Sequence, residues 1–224
     1  VIRKAYDNRV PLESMTVSGM GFGLSNTVRM GPGSDDTGTP VYSINQVFAN
    51  VVFDGEGKIL AIYVDQLEYS TPNYDGASMP HFSGWPGQGG YNNDSNHDAV
   101  VDGTTPDTEE QFTEEVAGWV TKRDRGDSYV MGTGSEQMDT FQKLFIGMTV
   151  DEVEEWFEKY CSDANGRPLK EDSSGEGDAE KYAALTDDEK AMLADITSSA
   201  TMSLNDSHGD ILSAIMASFD YMVP

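Results

Sequence analysis

The sequence predicts an α+β fold in which an antiparallel sheet is followed by helices gathered in the C-terminal half. Two observations lead to this prediction. From Tyr42 to Leu67, two stretches rich in β-branched and aromatic residues flank the turn residues GEGK, which is the pattern of a β-hairpin. After residue 135, apolar residues recur instead at the spacing of amphipathic helices.

The segments on either side of the hairpin lack a regular pattern. Ser18 to Pro40 is punctuated by glycine, and we predict one short strand there, from Thr27 to Met30. Residues 70–107 contain four prolines, so they are predicted to form a long loop. We therefore expect a single domain over residues 1–224, with residues 70–135 as an insertion.

Helices are predicted in the insertion and throughout the C-terminal half. The stretch TPDTEEQFTEEVAGWVTKR places Phe112, Val116 and Trp119 on one helical face, and a second helix is expected over residues 136–145. Two further helices begin at capping boxes, in which a threonine is followed three positions later by glutamate. These boxes pair Thr149 with Glu152 and Thr186 with Glu189. The last helix has an apolar face made of Ile211, Leu212, Ile215, Met216 and Phe219.

Acidic residues dominate the charge of the chain. Its 39 aspartates and glutamates and 14 lysines and arginines give a formal net charge of −25. Such a chain is repelled by phosphate backbones and by anionic lipids, so nucleic acid and peripheral membrane binding are excluded as functions. The excess of carboxylates suits a bacterial protein that is secreted or held at the cell surface, where calcium neutralises acidic clusters.

Cys161 is the only cysteine, which excludes an intrachain disulfide and a thiolate-rich metal site. The sequence contains neither a long apolar run nor a recognisable signal peptide. We therefore expect membrane association only through an anchor upstream of Val1.

The stretch DITSSAT, from Asp195 to Thr201, resembles the flavinylation motif of the FMN-binding domain family. In that motif an aspartate is separated by two residues from serine or threonine, and then come glycine, alanine and the acceptor threonine or serine. Asp195, Ser198, Ala200 and Thr201 match these positions, and Ser199 stands where glycine is usual. The resemblance implies that these five residues form the cofactor site.

The family includes flavin-carrying components of the sodium-pumping NADH:quinone reductase and of the related electron-transport complex, and extracytoplasmic lipoproteins of flavin-based electron transfer. The resemblance extends to the order of elements, from the glycine-bearing GMGFG through the hairpin to the helix after the motif. It implies an extracytoplasmic electron carrier with FMN joined to Thr201 through a phosphodiester. Its implied partners are a flavin transferase, a membrane redox donor and extracellular acceptor proteins.

The implied attachment requires Thr201 to be exposed on a loop, where a transferase can reach its hydroxyl. A cap of the last helix at Ser203 or Asn205 would place the phosphodiester near the positive end of that helix dipole. Without the resemblance, TSSATMS is interpreted as a Ser/Thr-rich helix terminus.

The stretch DSNHDAVVD is typical of part of a calcium-binding loop. Asp94, Asn96, Asp98 and Asp102 fall at positions one, three, five and nine, where such loops place oxygen ligands. The pattern departs from a complete loop, because Ala99 and Thr105 occupy the positions of the usual glycine and bidentate acid. Calcium is therefore a second candidate ligand, with a structural role, and a solvated acidic loop is the alternative.

Three functions remain open on these residues. The first is the electron carrier. The second, favoured by Ser199, is a calcium-stabilised extracellular binding module with the same fold and no flavin. The third is a flavin-dependent reductase of a small acceptor, which would need a substrate pocket. Other candidates are less specific: the three histidines lack the spacing of a zinc site, and Phe82, Trp85 and Tyr91 could stack on a flavin or pin a loop.

Overall fold

The computed structural model describes residues 16–35, 38, 40–74, 79–86, 108–126 and 134–224, together with Arg3 and Tyr6. The fold is α+β, as predicted, with an antiparallel sheet and with most helices in the C-terminal half. The sheet has the strand order β1-β2-β3, and a two-stranded ribbon joins β4 to β5. The strands are β1 Gly19–Ser34, β2 Pro40–Phe53, β3 Ile59–Ser70, β4 Asn205–Asp206 and β5 Gly209–Asp210.

The predicted hairpin is present as β2 and β3. In the turn between them, the Asp54 carboxylate accepts hydrogen bonds from the backbone N–H groups of Glu56 and Lys58, at 2.8 and 2.9 Å. Gly57 has a φ of +80°, a conformation that side chains disfavour. The turn chemistry is local, which explains why the sequence pattern identifies it.

Strand β1 corrects the sequence-based expectation, because it covers 16 residues rather than the short stretch from Thr27 to Met30. Its buried positions include Gly19, Gly21 and Gly23, which alternate with exposed apolar residues. A Cβ atom at Gly23 would lie 1.7 Å from the carbonyl oxygen of Ala214 in the last helix. The alternation is hidden in the sequence, because close approach of the helix leaves room only for glycine at inward positions.

The described residues contain seven helices, which we number in chain order. They are α1 Glu109–Ala117, α2 Lys122–Arg125, α3 Gly134–Phe145, α4 Val150–Tyr160, α5 Asp178–Ala183, α6 Asp187–Ser199 and α7 Ile211–Asp220. Both predicted capping boxes are present, and Thr108 forms a third with Gln111 at the start of α1. Helix α1 ends before Trp119, which the sequence pattern had placed on it. None of the described helices is long and apolar enough to cross a membrane.

The chain divides into two compact units, and each strand of the sheet contributes a segment to both. Unit 1 comprises Val1–Ser25, Val47–Asp65 and Glu136–Pro224, and unit 2 comprises Asn26–Gln46 and Gln66–Ser135. The expected single domain with an insertion at residues 70–135 stays a prediction.

Unit 1 contains the apolar core. Inward residues of β2 and β3, among them Phe53 and Ile59, pack with aromatic residues of α3 and α4 and with the apolar face of α7. The Phe145 ring centroid lies 5.8 Å from those of both Trp156 and Phe157. Burial of this apolar surface is the main stabilising contribution that we assign to unit 1.

Unit 2 buries mainly polar side chains along the same two strands. The Glu68 carboxylate lies 2.7 Å from Arg29 Nη2 and 3.2 Å from Lys122 Nζ, and it also accepts a hydrogen bond from the Ser43 hydroxyl. Burial by itself raises the pKa of Glu68, but Lys122 and Arg29 more than offset this, so the pKa lies below its ordinary value. Glu68 is therefore ionised in the folded protein at neutral pH.

Candidate functional site

A polar cleft of about 280 Å³ in unit 1 contains the acceptor threonine of the sequence motif. One side is formed by the end of α6, and the other by the segment between α4 and α5. Its lining residues are Asn165, Arg167, Pro168, Lys170, Asp172, Ser173, Ser174, Asp178, Thr197 and Thr201.

The end of helix α6 positions Thr201 in this cleft. The helix ends at Ser199, and Ala200 has an extended backbone, with φ −147° and ψ 119°, and a buried methyl group. The side-chain oxygen of Gln137, a buried residue of α3, accepts hydrogen bonds from the N–H groups of Thr201 and Met202 at 2.9 and 3.0 Å. Gln137 thus fixes the backbone that carries the acceptor hydroxyl, and the sequence motif contains no sign of it.

The two threonines of the cleft differ in the state of their hydroxyl groups. Thr197 Oγ1 donates to the Leu193 carbonyl at 2.8 Å, which is a contact within the helix. Thr201 is half-buried, and its hydroxyl has no hydrogen-bond partner among the described residues. Thr201 therefore offers the cleft a hydroxyl that can react or bind a ligand without first losing a contact.

The remaining motif residues lie on the last turns of α6. Asp195 and Ser198 are exposed, and the Ser198 hydroxyl donates to the Asp195 carbonyl at 2.6 Å. Ser199, which replaces the usual glycine, is the last helical residue and is also exposed. Its helical backbone has no need of glycine, so the β-carbon is accommodated at this position.

The wall formed by the segment SDANGRPLKEDSSG is an ordered hairpin-like turn. Leu169 N–H donates to the Tyr160 carbonyl and Ser162 N–H to the Arg167 carbonyl, both at 2.8 Å, and Leu169 is buried. At Gly166, with φ +65°, a Cβ atom would lie 2.6 Å from the Asn205 carbonyl oxygen. Close packing against the chain after Thr201 thus holds this turn in place.

Four charged side chains line the cleft. Lys170 pairs with Asp172 at 3.0 Å on the exposed rim, a contact that contributes little stability in water. Asp178 is buried; its Oδ2 atom accepts from Gly175 N–H at 2.9 Å, whereas Oδ1 has no partner among the described residues. Arg167 is exposed.

The last helix is capped neither by Ser203 nor by Asn205. Asp210, rather than Ser203 or Asn205, caps α7, because its carboxylate accepts from the N–H of Ser213 at 2.8 Å. Thr201 instead follows the C-terminal end of α6. Thr201 is therefore not at the positive end of α6, and the cations that line its cleft are the side chains of Arg167 and Lys170.

A second cavity, in unit 2, is larger and almost entirely apolar. It measures about 670 Å³ and is lined by Ile44, Tyr69, Phe82, Trp85, Phe112, Thr113, Val116, Ala117 and Trp119. The rings of Tyr69 and Trp119 stack with centroids 4.5 Å apart, and Trp119 Nε1 donates to the His81 carbonyl at 2.9 Å. Burial lowers the pKa of His81, so its ring is neutral at pH 7.

The proposed calcium ligands Asp94, Asn96, Asp98 and Asp102 lie outside the described residues, as does Tyr91. Within the described part of the chain, no group of three or more His, Cys, Asp or Glu side chains is placed to hold a metal ion. Calcium binding by the loop stays a prediction.

The polar cleft of unit 1 thus contains a threonine hydroxyl that has no hydrogen-bond partner among the described residues. No family model matches the chain, and no solved structure matches it. The chain is similar to a chlorophenol reductase from Desulfitobacterium hafniense, with 32% identity over 189 residues. The matched region covers 80% of this chain and 51% of that protein, so the chain spans about half the length of this relative.

Proposed function

We propose that this chain is an extracytoplasmic electron carrier of the FMN-binding domain type, with FMN attached covalently to Thr201. The observation that carries the proposal is that Thr201, the acceptor position of the motif, lines an open cleft with a hydroxyl that has no partner in the described part of the chain. The departure at Ser199 does not oppose it, since that residue is helical and exposed.

Attachment requires a flavin transferase and FAD. Thr201 Oγ1 bonds to the phosphorus of the FMN half of FAD while the bond from that phosphorus to the bridging oxygen breaks. AMP leaves, and the hydroxyl proton passes to a base of the transferase or to water. Gln137 holds the Thr201 backbone in place. Bound FMN supplies one-electron and two-electron redox chemistry, and the covalent link prevents its loss outside the cell.

The name of the matched relative, a reductase, supports a redox role for this chain. We propose that a membrane protein donates the electrons and that extracellular proteins accept them. A surface with net charge −25 favours docking to basic patches on these partners, and salt would weaken that docking.

The experiment is coexpression of the chain with a flavin transferase, followed by intact mass and by absorbance in the flavin bands. We expect one FMN adduct on the wild type and on Thr201→Ser, and none on Thr201→Val. Thr197→Val is the matched control, because it removes a hydroxyl from the same cleft and should leave the adduct in place. An unmodified wild type, or an adduct that survives Thr201→Val, would exclude the proposed attachment.

The aromatic cavity of unit 2 favours a second candidate function, a reductase that binds its own small aromatic acceptor. Its aromatic lining and volume suit a planar apolar molecule, and the name of the relative includes such a compound, chlorophenol. Purified flavinylated protein, reduced chemically, would be mixed with a chlorinated phenol. Saturable turnover that Trp85→Ala weakens would favour this candidate, whereas turnover equal to that of free FMN would exclude it.

Calcium can be tested separately from the flavin. If Asp94, Asn96, Asp98 and Asp102 bind calcium, the melting temperature should rise with calcium and fall with a chelator. The variant Asp98→Asn should remove that response, and Asp220→Asn, which changes the charge equally outside the loop, should keep it. The alternative of a flavin-free binding module requires this response together with the absence of an FMN adduct.

A further inference from the structure

Arg167 has no carboxylate partner in the described chain, unlike four lysines of unit 1. Lys58, Lys159, Lys170 and Lys181 each have Nζ within 3.2 Å of a carboxylate oxygen. No ion pair or side-chain hydrogen bond of the Arg167 guanidinium occurs among the described residues. In a chain with 39 acidic and 14 basic residues, a guanidinium without an acidic partner is unexpected on the surface.

Arg167 lines the cleft that contains Thr201. Its guanidinium is therefore available to a ligand in that cleft. Asp172 is paired with Lys170, and Asp178 is held by Gly175 N–H. With Arg167 present, the charges of the two cations and the two carboxylates of the cleft sum to zero. Without Arg167, the same groups sum to a charge of −1, which would repel a phosphate.

We propose, building on the function proposed above, that Arg167 makes this cleft selective for phosphorylated flavin by pairing with the FMN phosphate. A guanidinium presents two parallel N–H donors that match phosphate oxygens, and such charge-assisted pairs are among the stronger hydrogen bonds in proteins. The role is one of specificity, since Arg167 orients the phosphate next to Thr201 and takes no part in bond formation.

The test compares free FMN with riboflavin, which lacks the phosphate, on the full chain purified from a host without flavin transferase. Affinities would be measured by quenching of flavin fluorescence. We expect FMN to bind at least about tenfold more tightly than riboflavin. Arg167→Gln should remove most of that ratio, and Arg167→Lys should restore part of it. Lys143→Gln is the control, because Lys143 is exposed on α3 outside the cleft and its loss changes the net charge equally.

Equal affinities for FMN and riboflavin in the wild type would overturn the proposal, as would absence of FMN binding or equal losses in Arg167→Gln and Lys143→Gln. Arg167 is exposed, so its replacement should leave folding unchanged, and melting curves would check this. The result is separable from the attachment experiment. A ratio that depends on Arg167 without an adduct at Thr201 would support the subsite and exclude covalent attachment. An FMN adduct at Thr201 in a chain that binds FMN and riboflavin equally would support covalent attachment and exclude the Arg167 subsite.

Discussion

The two units of the molecule are stabilised in different ways along the same strands. On the inward face of β2, unit 2 has Val41, Ser43 and Asn45, whereas Val47 and the residues that follow in unit 1 are apolar. Unit 1 thus relies on burial of apolar surface, and unit 2 on a buried ion cluster and a layer of aromatic rings. The cavities show the reverse distribution of polarity: the polar cleft lies in unit 1, which has the apolar core, and the apolar cavity lies in unit 2, which buries polar groups.

This difference teaches that cavity size is a poor guide to chemistry. The cavity of about 670 Å³ in unit 2 contains aromatic rings and few polar groups, and its Thr113 hydroxyl already donates to the Glu109 carbonyl at 2.7 Å. The cleft of about 280 Å³ in unit 1 is smaller, yet it has a hydroxyl and a cation that lack partners among the residues that the structure describes. Each contrast can be tested by substitution.

The largest expected effect is on the packing of unit 1. In Gly23→Ala, the added Cβ would lie 1.7 Å from the Ala214 carbonyl oxygen, so α7 would have to move away from β1. We expect a loss of at least about 3 kcal/mol in the free energy of unfolding, measured with urea. Gly55→Ala is the control, because nothing lies within 4 Å of its added Cβ. Equal losses in the two variants would contradict this packing of α7 on β1.

Glu68→Gln should have the next largest effect, in unit 2. The substitution removes the charge that compensates Arg29 and Lys122 in a buried setting. We expect a loss of about 3 kcal/mol, because breaking a buried ion pair leaves charge without compensation. Exposed Glu56→Gln, which breaks a surface pair with Lys58, should have a much smaller effect, because water screens that pair. Urea denaturation monitored by tryptophan fluorescence would measure both.

Gln137→Met should loosen the backbone that carries Thr201, while the methionine side chain still fills the buried position. It removes the acceptor shared by the N–H groups of Thr201 and Met202, at a cost of about 2 kcal/mol. We also expect slower flavin attachment, because the acceptor segment would lose its fixed position. Gln137→Glu retains an oxygen acceptor and should attach flavin faster than Gln137→Met. Identical rates in the two variants would show that Gln137 has no positioning role.

The pH dependence of stability provides a finer test of unit 2. The folded-state pKa of Glu68 lies below its ordinary value, so its contribution is fully present above the unfolded pKa, about 4.3, and is lost as the pH falls through the folded value. The difference in unfolding free energy between wild type and Glu68→Gln should therefore be constant from about pH 5 to 7 and shrink below about pH 4. A constant difference down to about pH 2 would contradict this coupling.

The smallest effect is expected for Trp85→Ala. The Trp85 side chain is 57% exposed, so its removal should cost less than about 1 kcal/mol. Trp119→Ala should cost about 3 kcal/mol, because Trp119 stacks on Tyr69 and donates to the His81 carbonyl. The fraction of chains carrying FMN should be the same in Trp85→Ala as in the wild type. A lower fraction would mean that the aromatic cavity takes part in attachment.

Local chemistry accounts for what could be predicted from the sequence. The turn at Asp54 and the capping boxes at Thr149 and Thr186 depend on residues within four positions of one another, and all three are present. Strand β1 escaped prediction because its inward residues are glycines, whose presence is explained only by the helix packed on them. Contacts between residues that are far apart in the sequence leave no local sequence pattern.

The same distinction applies to the candidate site. Thr201 could be nominated because its neighbours form a recognisable motif. Gln137 could not, since its partners are 64 and 65 residues away. Arg167 lies in a turn with no recognisable motif, and its importance follows only from the other residues that line the same cleft. The sequence therefore identifies the reactive group, and the folded chain adds the residues that surround it.

The chain also has a property of practical use, which follows from the burial of its single thiol. Cys161 is buried beside the core, and this burial raises the pKa of its thiol far above its ordinary value. Maleimide and methanethiosulfonate reagents should therefore leave the native protein unlabelled. A cysteine introduced at any exposed position would then be the sole modification point. Distances from a spin label or fluorophore to the cleft could be measured without first deleting a native residue.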